Sequence, residues 1–185
     1  LKNKDNVWVL NPYNEIYGNV VSIYDIELNS WDAINVSTNA LYLPQEMAFD
    51  NNGQIWVGFM NEPTYVPYGD PYSDGGIRFV NANNQFMEVE NDEILIGGAT
   101  ADIWSLDICP YNNFDVLWVM ASDGIQGYTI FNNQISPISN IDFFTDIQFY
   151  KGDRLRCDQY SNIWITTRHS GVRTILSGDN YTEFW

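Results

Sequence analysis

The sequence predicts an all-β chain in which one four-stranded antiparallel unit is copied about four times. Three observations predict it. Short β-branched and aromatic runs centred on tryptophan recur as NVWVL at Trp8, GQIWVGF at Trp56, DVLWVMA at Trp118 and SNIWITT at Trp164. Each is followed by a glycine and a second apolar run: GNVVSIY, GGIRFV, GIQGYTIF and GVRTIL. The spacing is the third observation. Trp8 to Trp56 is 48 residues and Trp118 to Trp164 is 46, close to the roughly 40–50 of a four-stranded propeller blade. The 62 residues from Trp56 to Trp118 reflect an insertion, because Trp56 reaches Gly76 in 20 residues and Trp118 reaches Gly124 in 6. The 14 extra residues are NEPTYVPYGDPYSD, Asn61 to Asp74, and without them the period is again 48. Stacked repeats of this kind bury their apolar faces against one another, so the expected fold is a β-propeller.

The chain reads as a single propeller segment, 1–185, with units at about 1–40, 41–98, 99–140 and 141–185. The first unit reads as incomplete: it opens on its second strand, VWVL, continues through VVSIYD to about Trp31, and its inner strand is expected before Leu1. The second is the most regular. EMAF is its inner strand, and Asp50-Asn51-Asn52-Gly53 is a turn in which Asp50 bonds back to the backbone. QIWVGF, GIRFVN and QFMEV follow as strands two to four. The third unit reads WSLDI, VLWVM, IQGYTIF and QIS, and the fourth RLRC, NIWITT, GVRTIL and YTEFW. No stretch combines a helix cap with a 3.6-residue period. Both ends stop within the pattern, so the expected object is part of a larger ring of six to eight blades, about four of them present.

Composition narrows the classes. Hydrophobic residues make up 45% of the chain and aromatics 16%, which is a folding composition. Twenty-four acidic residues oppose 8 basic ones, for a net charge of −16. That field repels phosphate backbones, so no nucleic-acid partner is expected. No apolar run approaches the roughly 18 residues of a membrane span, so no membrane insertion is expected. No signal peptide is visible and the chain opens on Leu1, as a mature product or excised piece would. Cys109 and Cys157 lie before neighbouring second strands at nearly equivalent positions, whose Cβ vectors need not face. The expectation is two buried free thiols. No CxxC or Cys/His cluster suggests zinc, and no Asp-x-Asp-x-Asp-Gly loop suggests calcium; no metal or cofactor is expected. Asn35-Val36-Ser37 and Asn180-Tyr181-Thr182 are glycosylation sequons of a kind that arises by chance.

Asp50, Gly53, Ile55, Trp56, Val57 and Gly58 with Gly75, Gly76 and Ile77 resemble the two-component-regulator propeller repeat. Asn162 to Thr167 with Gly171 and Val172 resemble it in the last unit. The closing SGDNYTEFW is similar to the entry to a further blade in PorZ-like propellers of the type IX secretion system. The Trp118 unit departs from the pattern, reading as a longer turn from Pro110 to Asp115 without the Asp-x-x-Gly. The resemblance implies a bacterial protein of the periplasm, cell surface or secreted space. It implies a recognition or assembly role with a glycan, lipopolysaccharide or envelope protein as partner, alongside the rest of its own propeller chain.

The candidate ligand-binding residues lie in loops joining second to third strands. The insertion carries Tyr65, Tyr68 and Tyr72 beside Glu62, Asp70 and Asp74, stiffened by three prolines. Aromatic plates beside carboxylates suit sugars and cations; the alternative is a packed Ω-loop over a neighbouring blade. Arg168 and His169 occupy the matching loop of the last unit, where a surface loop is the ordinary reading. Glu90 to Glu93, Asp102, Asp142, Asp146 and Lys151 add polar groups expected on the same face, around the channel mouth. Solvated loop charge explains those, and no catalytic residue is assigned. The reading is therefore a non-catalytic module. A sugar-active propeller enzyme of the lyase or lactonase type and a purely structural interaction scaffold are its alternatives.

Overall fold

The computed structural model of the chain describes residues 2–3, 5–11, 19–35, 43–61, 75–81, 83–111, 114–138, 148–176 and 180–184. Among these residues sixteen strands form four separate four-stranded antiparallel sheets, each in chain order. The first holds β1 (Lys2–Asn3), β2 (Asn6–Leu10), β3 (Asn19–Asp25) and β4 (Ser30–Asn35). The second holds β5 (Leu43–Phe49), β6 (Ile55–Met60), β7 (Ile77–Val80) and β8 (Phe86–Glu88). The third holds β9 (Ile103–Tyr111), β10 (Phe114–Ala121), β11 (Gly124–Phe131) and β12 (Gln134–Pro137). The fourth holds β13 (Arg154–Cys157), β14 (Ile163–Thr167), β15 (Gly171–Leu176) and β16 (Asn180–Phe184). Among the described residues the only helix is a single 3-10 turn, Asp92–Ile94, and none is long and apolar enough to cross a membrane.

Strand alternation explains how the sheets stack. Successive side chains of a strand point to opposite faces, so the second strands of the two middle sheets, β6 and β10, each serve two cores. Ile55, Val57 and Phe59 of β6 pack with Val21, Ile23 and Ile34 of the first sheet. Trp56, between them, packs instead with Ile103, Leu106 and Leu117 of the third. In β10, Leu117, Val119 and Ala121 face the second sheet, whereas Val116, Trp118 and Met120 face Leu155, Ile163 and Ile165 of the fourth. Three apolar layers thus lie between four consecutive sheets, and the first strands β5, β9 and β13 run side by side along the axis of the fan. The chain forms part of a β-propeller.

Two expectations about strands need correction. The first sheet has an inner strand within the chain: β1 pairs with β2 through Lys2 opposite Val7 and Asn3 opposite Asn6. Two polar residues carry no alternation, which is why this strand left no pattern to read. The stretch from Pro110 to Asp115 is not a long turn. Pro110 pairs with Asp115 and Tyr111 with Phe114, so β9 and β10 extend almost to their connection.

The tryptophans are not equally buried. Trp56 and Trp118 are fully buried, and Trp8 is half-buried edge-on against Phe49. Trp164 is 37% exposed, because it sits on the face of β14 opposite Ile163 and Ile165, and no fifth sheet follows there among the described residues.

A shared turn orients two of these rings. Asp50 Oδ1 accepts from the backbone N–H groups of Asn52 and Gln54, and Oδ2 accepts from Trp56 Nε1 at 3.5 Å. Asp158 repeats the device, with Oδ1 accepting from Tyr160 and Asn162 N–H and Oδ2 from Trp164 Nε1 at 2.9 Å. The bond from Trp164, followed by that from the Asn162 side chain, holds the Asp158 carboxyl down to about 2 from the usual 3.8. A lowered native pKa stabilises the fold above the unfolded value and loses that contribution as pH falls through the native one. Wild-type protein is expected to lose stability between about pH 4 and pH 2 with a slope that Asp158→Asn flattens. Parallel acid-unfolding profiles for the two proteins contradict this.

Candidate functional site

The loops that follow second strands are fastened to the starts of inner strands by aspartates. Asn61 closes β6, and its backbone N–H donates to Asp102 Oδ1 at 2.7 Å while its side chain donates to the Thr100 carbonyl at 2.9 Å. At the other end of the insertion Gly76 N–H donates to the Ala101 carbonyl at 2.8 Å. Both stems of the insertion therefore rest on the Thr100–Asp102 connection that leads into β9. Glu62, Tyr65, Tyr68, Asp70, Tyr72 and Asp74 themselves lie outside the described residues, as do Asp142 and Asp146.

Arg168 and His169 are placed. The Arg168 N–H donates to Asp153 Oδ1 at 3.0 Å, and its Nε lies 3.9 Å from the same oxygen. Asp153 is 1% exposed and immediately precedes β13. Its Oδ2 accepts from Tyr150 N–H at 2.8 Å, so one buried carboxylate ties the loop before β13 to the β14–β15 hairpin. His169 stands edge-on to Tyr150, with ring centroids 5.5 Å apart at 82°. The structure thus brings His169, Arg168, Tyr150 and Asp153 together at one end of the inner strand. In the third sheet the corresponding loop is only the turn Ser122–Asp123.

Glu90 to Glu93 lie elsewhere than expected. Asn91 donates to the Ile135 carbonyl at 2.6 Å and accepts from Ile135 N–H at 3.0 Å, while Glu90 accepts from the Gln134 side chain at 2.7 Å. An amide side chain here completes the outer strand β12, so this acidic segment lies at the rim of the third sheet and not at the inner strands.

A second polar group, which the sequence reading missed, follows directly along β13. Alternation sends Leu155 into the third core, and Arg154 and Arg156 to the other face. Both guanidinium groups meet Glu46 of β5, two sheets away: Arg156 Nη2 lies 2.8 Å and Arg154 Nε 3.8 Å from Glu46 Oε2. From β9 between them, fully buried Ser105 accepts from Leu155 N–H at 3.1 Å and lies 3.4 Å from Arg156 Nη1. Three inner strands therefore contribute to one cluster on the axis. Its sequence signal was RLRC, alternate arginines in a chain with 8 basic residues in all.

Cys109 and Cys157 are joined as a disulfide, with Cα atoms 5.9 Å apart. This overturns the expectation of two free thiols. The cysteines are not strictly equivalent: Cys109 lies nine residues before Trp118 and Cys157 seven before Trp164. In the ladders Cys109 pairs with Val116, two residues from Trp118, and Cys157 with Ile163, one residue from Trp164, so each cysteine lies on the face turned to the other's sheet and the side chains meet within bridging distance. Asp107 adds a further tie, accepting from Cys157 N–H at 2.9 Å.

No protein-family model matches the sequence, and no curated protein matches it. Solved structures do. PorZ, described as an essential bacterial surface component of the type IX secretion system of Porphyromonas gingivalis, superposes with a TM-score of 0.62 at 13% identity. The match covers 100% of this chain and 26% of that one. The extracellular domain of a putative one-component system from B. thetaiotaomicron gives 0.57 at 19% identity, covering 97% and 22%. A putative gluconolactonase gives 0.59 at 14% identity, covering 87% and 54%. The chain spans between about a fifth and about half the length of these structures. At such identities the likeness is one of fold: propeller sheets of a secretion component, a sensor domain and a lactonase.

Proposed function

We propose that the chain is a non-catalytic recognition or assembly segment of an extracytoplasmic bacterial β-propeller, binding a glycan, a lipopolysaccharide or an envelope protein on the loop face at the end of its inner strands. The observation that carries this reading is the fastening of that face. Asp102 and Asp153 lock the backbone on which the Asn61–Asp74 insertion and the Arg168–His169 loop are mounted. Loop stems held in place before a ligand arrives leave less freedom to lose on binding, which favours affinity without chemistry. The Cys109–Cys157 disulfide supports an oxidising compartment, as in periplasmic or secreted proteins. PorZ-like and sensor propellers, both surface or extracellular by description, are the resemblance on which the partner classes rest.

The test replaces Tyr65, Tyr68 and Tyr72 together by alanine and measures binding to a panel of purified glycans, lipopolysaccharides and envelope proteins. Losing three aromatic contacts is expected to weaken the best binder by tenfold or more, since each stacked ring contributes about 0.5–1.5 kcal/mol. Undiminished binding by the variant contradicts the reading. Turnover of any saccharide in the same panel also contradicts it, in favour of a sugar-active propeller.

A further inference from the structure

We propose that Arg154 and Arg156 form an anion subsite on the propeller axis that receives the carboxylate or phosphate of a charged sugar. The inference rests on the glycan reading above and specifies its ligand as acidic. Cations are scarce in this chain, yet five of the eight, Lys151, Arg154, Arg156, Arg168 and Arg173, lie between residues 151 and 173. Two of them occupy one face of one inner strand, with side chains 43% and 51% exposed. Their heads are held from behind. Arg154 Nη1 donates to the Asp153 carbonyl at 2.8 Å, and Arg156 Nη1 to the Leu155 carbonyl at 2.7 Å. Ser105 Oγ, fully buried, adds a third contact to Arg156.

Among the described residues the two guanidinium groups share a single ion-pair partner, and both approach the same oxygen, Glu46 Oε2. The other carboxylates nearby are engaged elsewhere: Asp107 accepts from the backbone N–H groups of Ile108 and Cys157, and Asp153 from those of Tyr150 and Arg168. Neither of those two makes an ion pair with Arg154 or Arg156, so one carboxylate directly faces two half-exposed guanidinium groups in a molecule whose net charge is −16. A planar guanidinium fork matches a carboxylate or phosphate through paired charge-assisted hydrogen bonds. Glu46 would then act as the competitor that an acidic ligand displaces. An inter-sheet tie alone requires neither a second arginine nor so much exposure.

Calorimetric titration of the whole chain with trigalacturonate, its methyl ester and inorganic phosphate tests this. Trigalacturonate is expected to bind at least tenfold more tightly than its ester, and Arg154→Gln/Arg156→Gln to abolish the difference. Glu46→Gln is expected to tighten the acidic probe several-fold, an effect that loss of a structural ion pair does not produce. Thermal unfolding establishes that the variants are folded. A phosphate preference over trigalacturonate assigns the site to phosphorylated sugars, and the reverse to uronates; either supports the proposal. Equal binding of acid and ester, or weaker acid binding by Glu46→Gln, overturns it while leaving the glycan reading intact. If neither these probes nor any glycan or lipopolysaccharide of the panel binds, the glycan reading itself fails.

Discussion

Removing the cross-link between the third and fourth sheets, by reduction or by Cys109→Ser/Cys157→Ser, is expected to lower stability by about 2–4 kcal/mol. The bridge joins residues 48 apart, and the loop-closure freedom it removes from the unfolded chain amounts to about 4 kcal/mol by the chain-entropy relation. For a chain of this size that corresponds to a fall in Tm of roughly 10 °C. The effect is large because the bridge supplements a modest interface. β13 has four residues, and its neighbour β14 exposes alternate side chains, Trp164 and Thr166. Denaturant unfolding with and without reductant measures it. Coincident curves, with two titratable thiols in the native protein, contradict the pairing.

Gly76→Ala is expected to destabilise the chain by about 3 kcal/mol. Gly76 has φ +71°, and a Cβ built on it would lie 2.1 Å from the Ala99 carbonyl oxygen. The obstacle is backbone, so no rotamer change relieves it. Moving that carbonyl would also strain the bond from Gly76 N–H to the Ala101 carbonyl and the bond from Phe59 N–H to the Gly76 carbonyl. Gly98 is the internal control. It has φ +85° but nothing within 4 Å of its virtual Cβ, so Gly98→Ala carries only the left-handed backbone cost of about 1–2 kcal/mol. The difference between the two variants isolates the close packing of the second sheet on the connection that carries the insertion. Equal losses at both positions contradict that packing.

Most of the architecture was legible because it is written in side-chain alternation. A tryptophan in a strand must send its aliphatic neighbours to the opposite face, and Ile55-Trp56-Val57 and Leu117-Trp118-Val119 do so in the structure. The Asp50 turn was legible from its glycine, Gly53. The equivalent turn at Asp158 was not, because Ser161 takes the left-handed position at φ +64° and hides the signature. The disulfide escaped because it depends on the hairpin registers, which pair Cys109 with Val116 and Cys157 with Ile163 and so turn the two side chains toward one another. The channel cluster escaped for a related reason: Glu46, Ser105 and Arg156 are scattered over 110 residues and meet only because their strands share an axis. Of the expected ligand residues, Arg168 and His169 lie in the β14–β15 connection, beside Asp153 and Tyr150. Tyr150, their aromatic neighbour, had no motif to announce it.

Hydrogen exchange of the wild-type chain with and without purified lipopolysaccharide tests the central claim most directly, because it reports where a ligand sits as well as whether it binds. Slowed exchange is expected in two stretches, 61–76 and 148–156, with the outer strands β8 and β12 unchanged. Protection confined to those outer strands, or spread evenly over all four sheets, would contradict a binding face at the end of the inner strands.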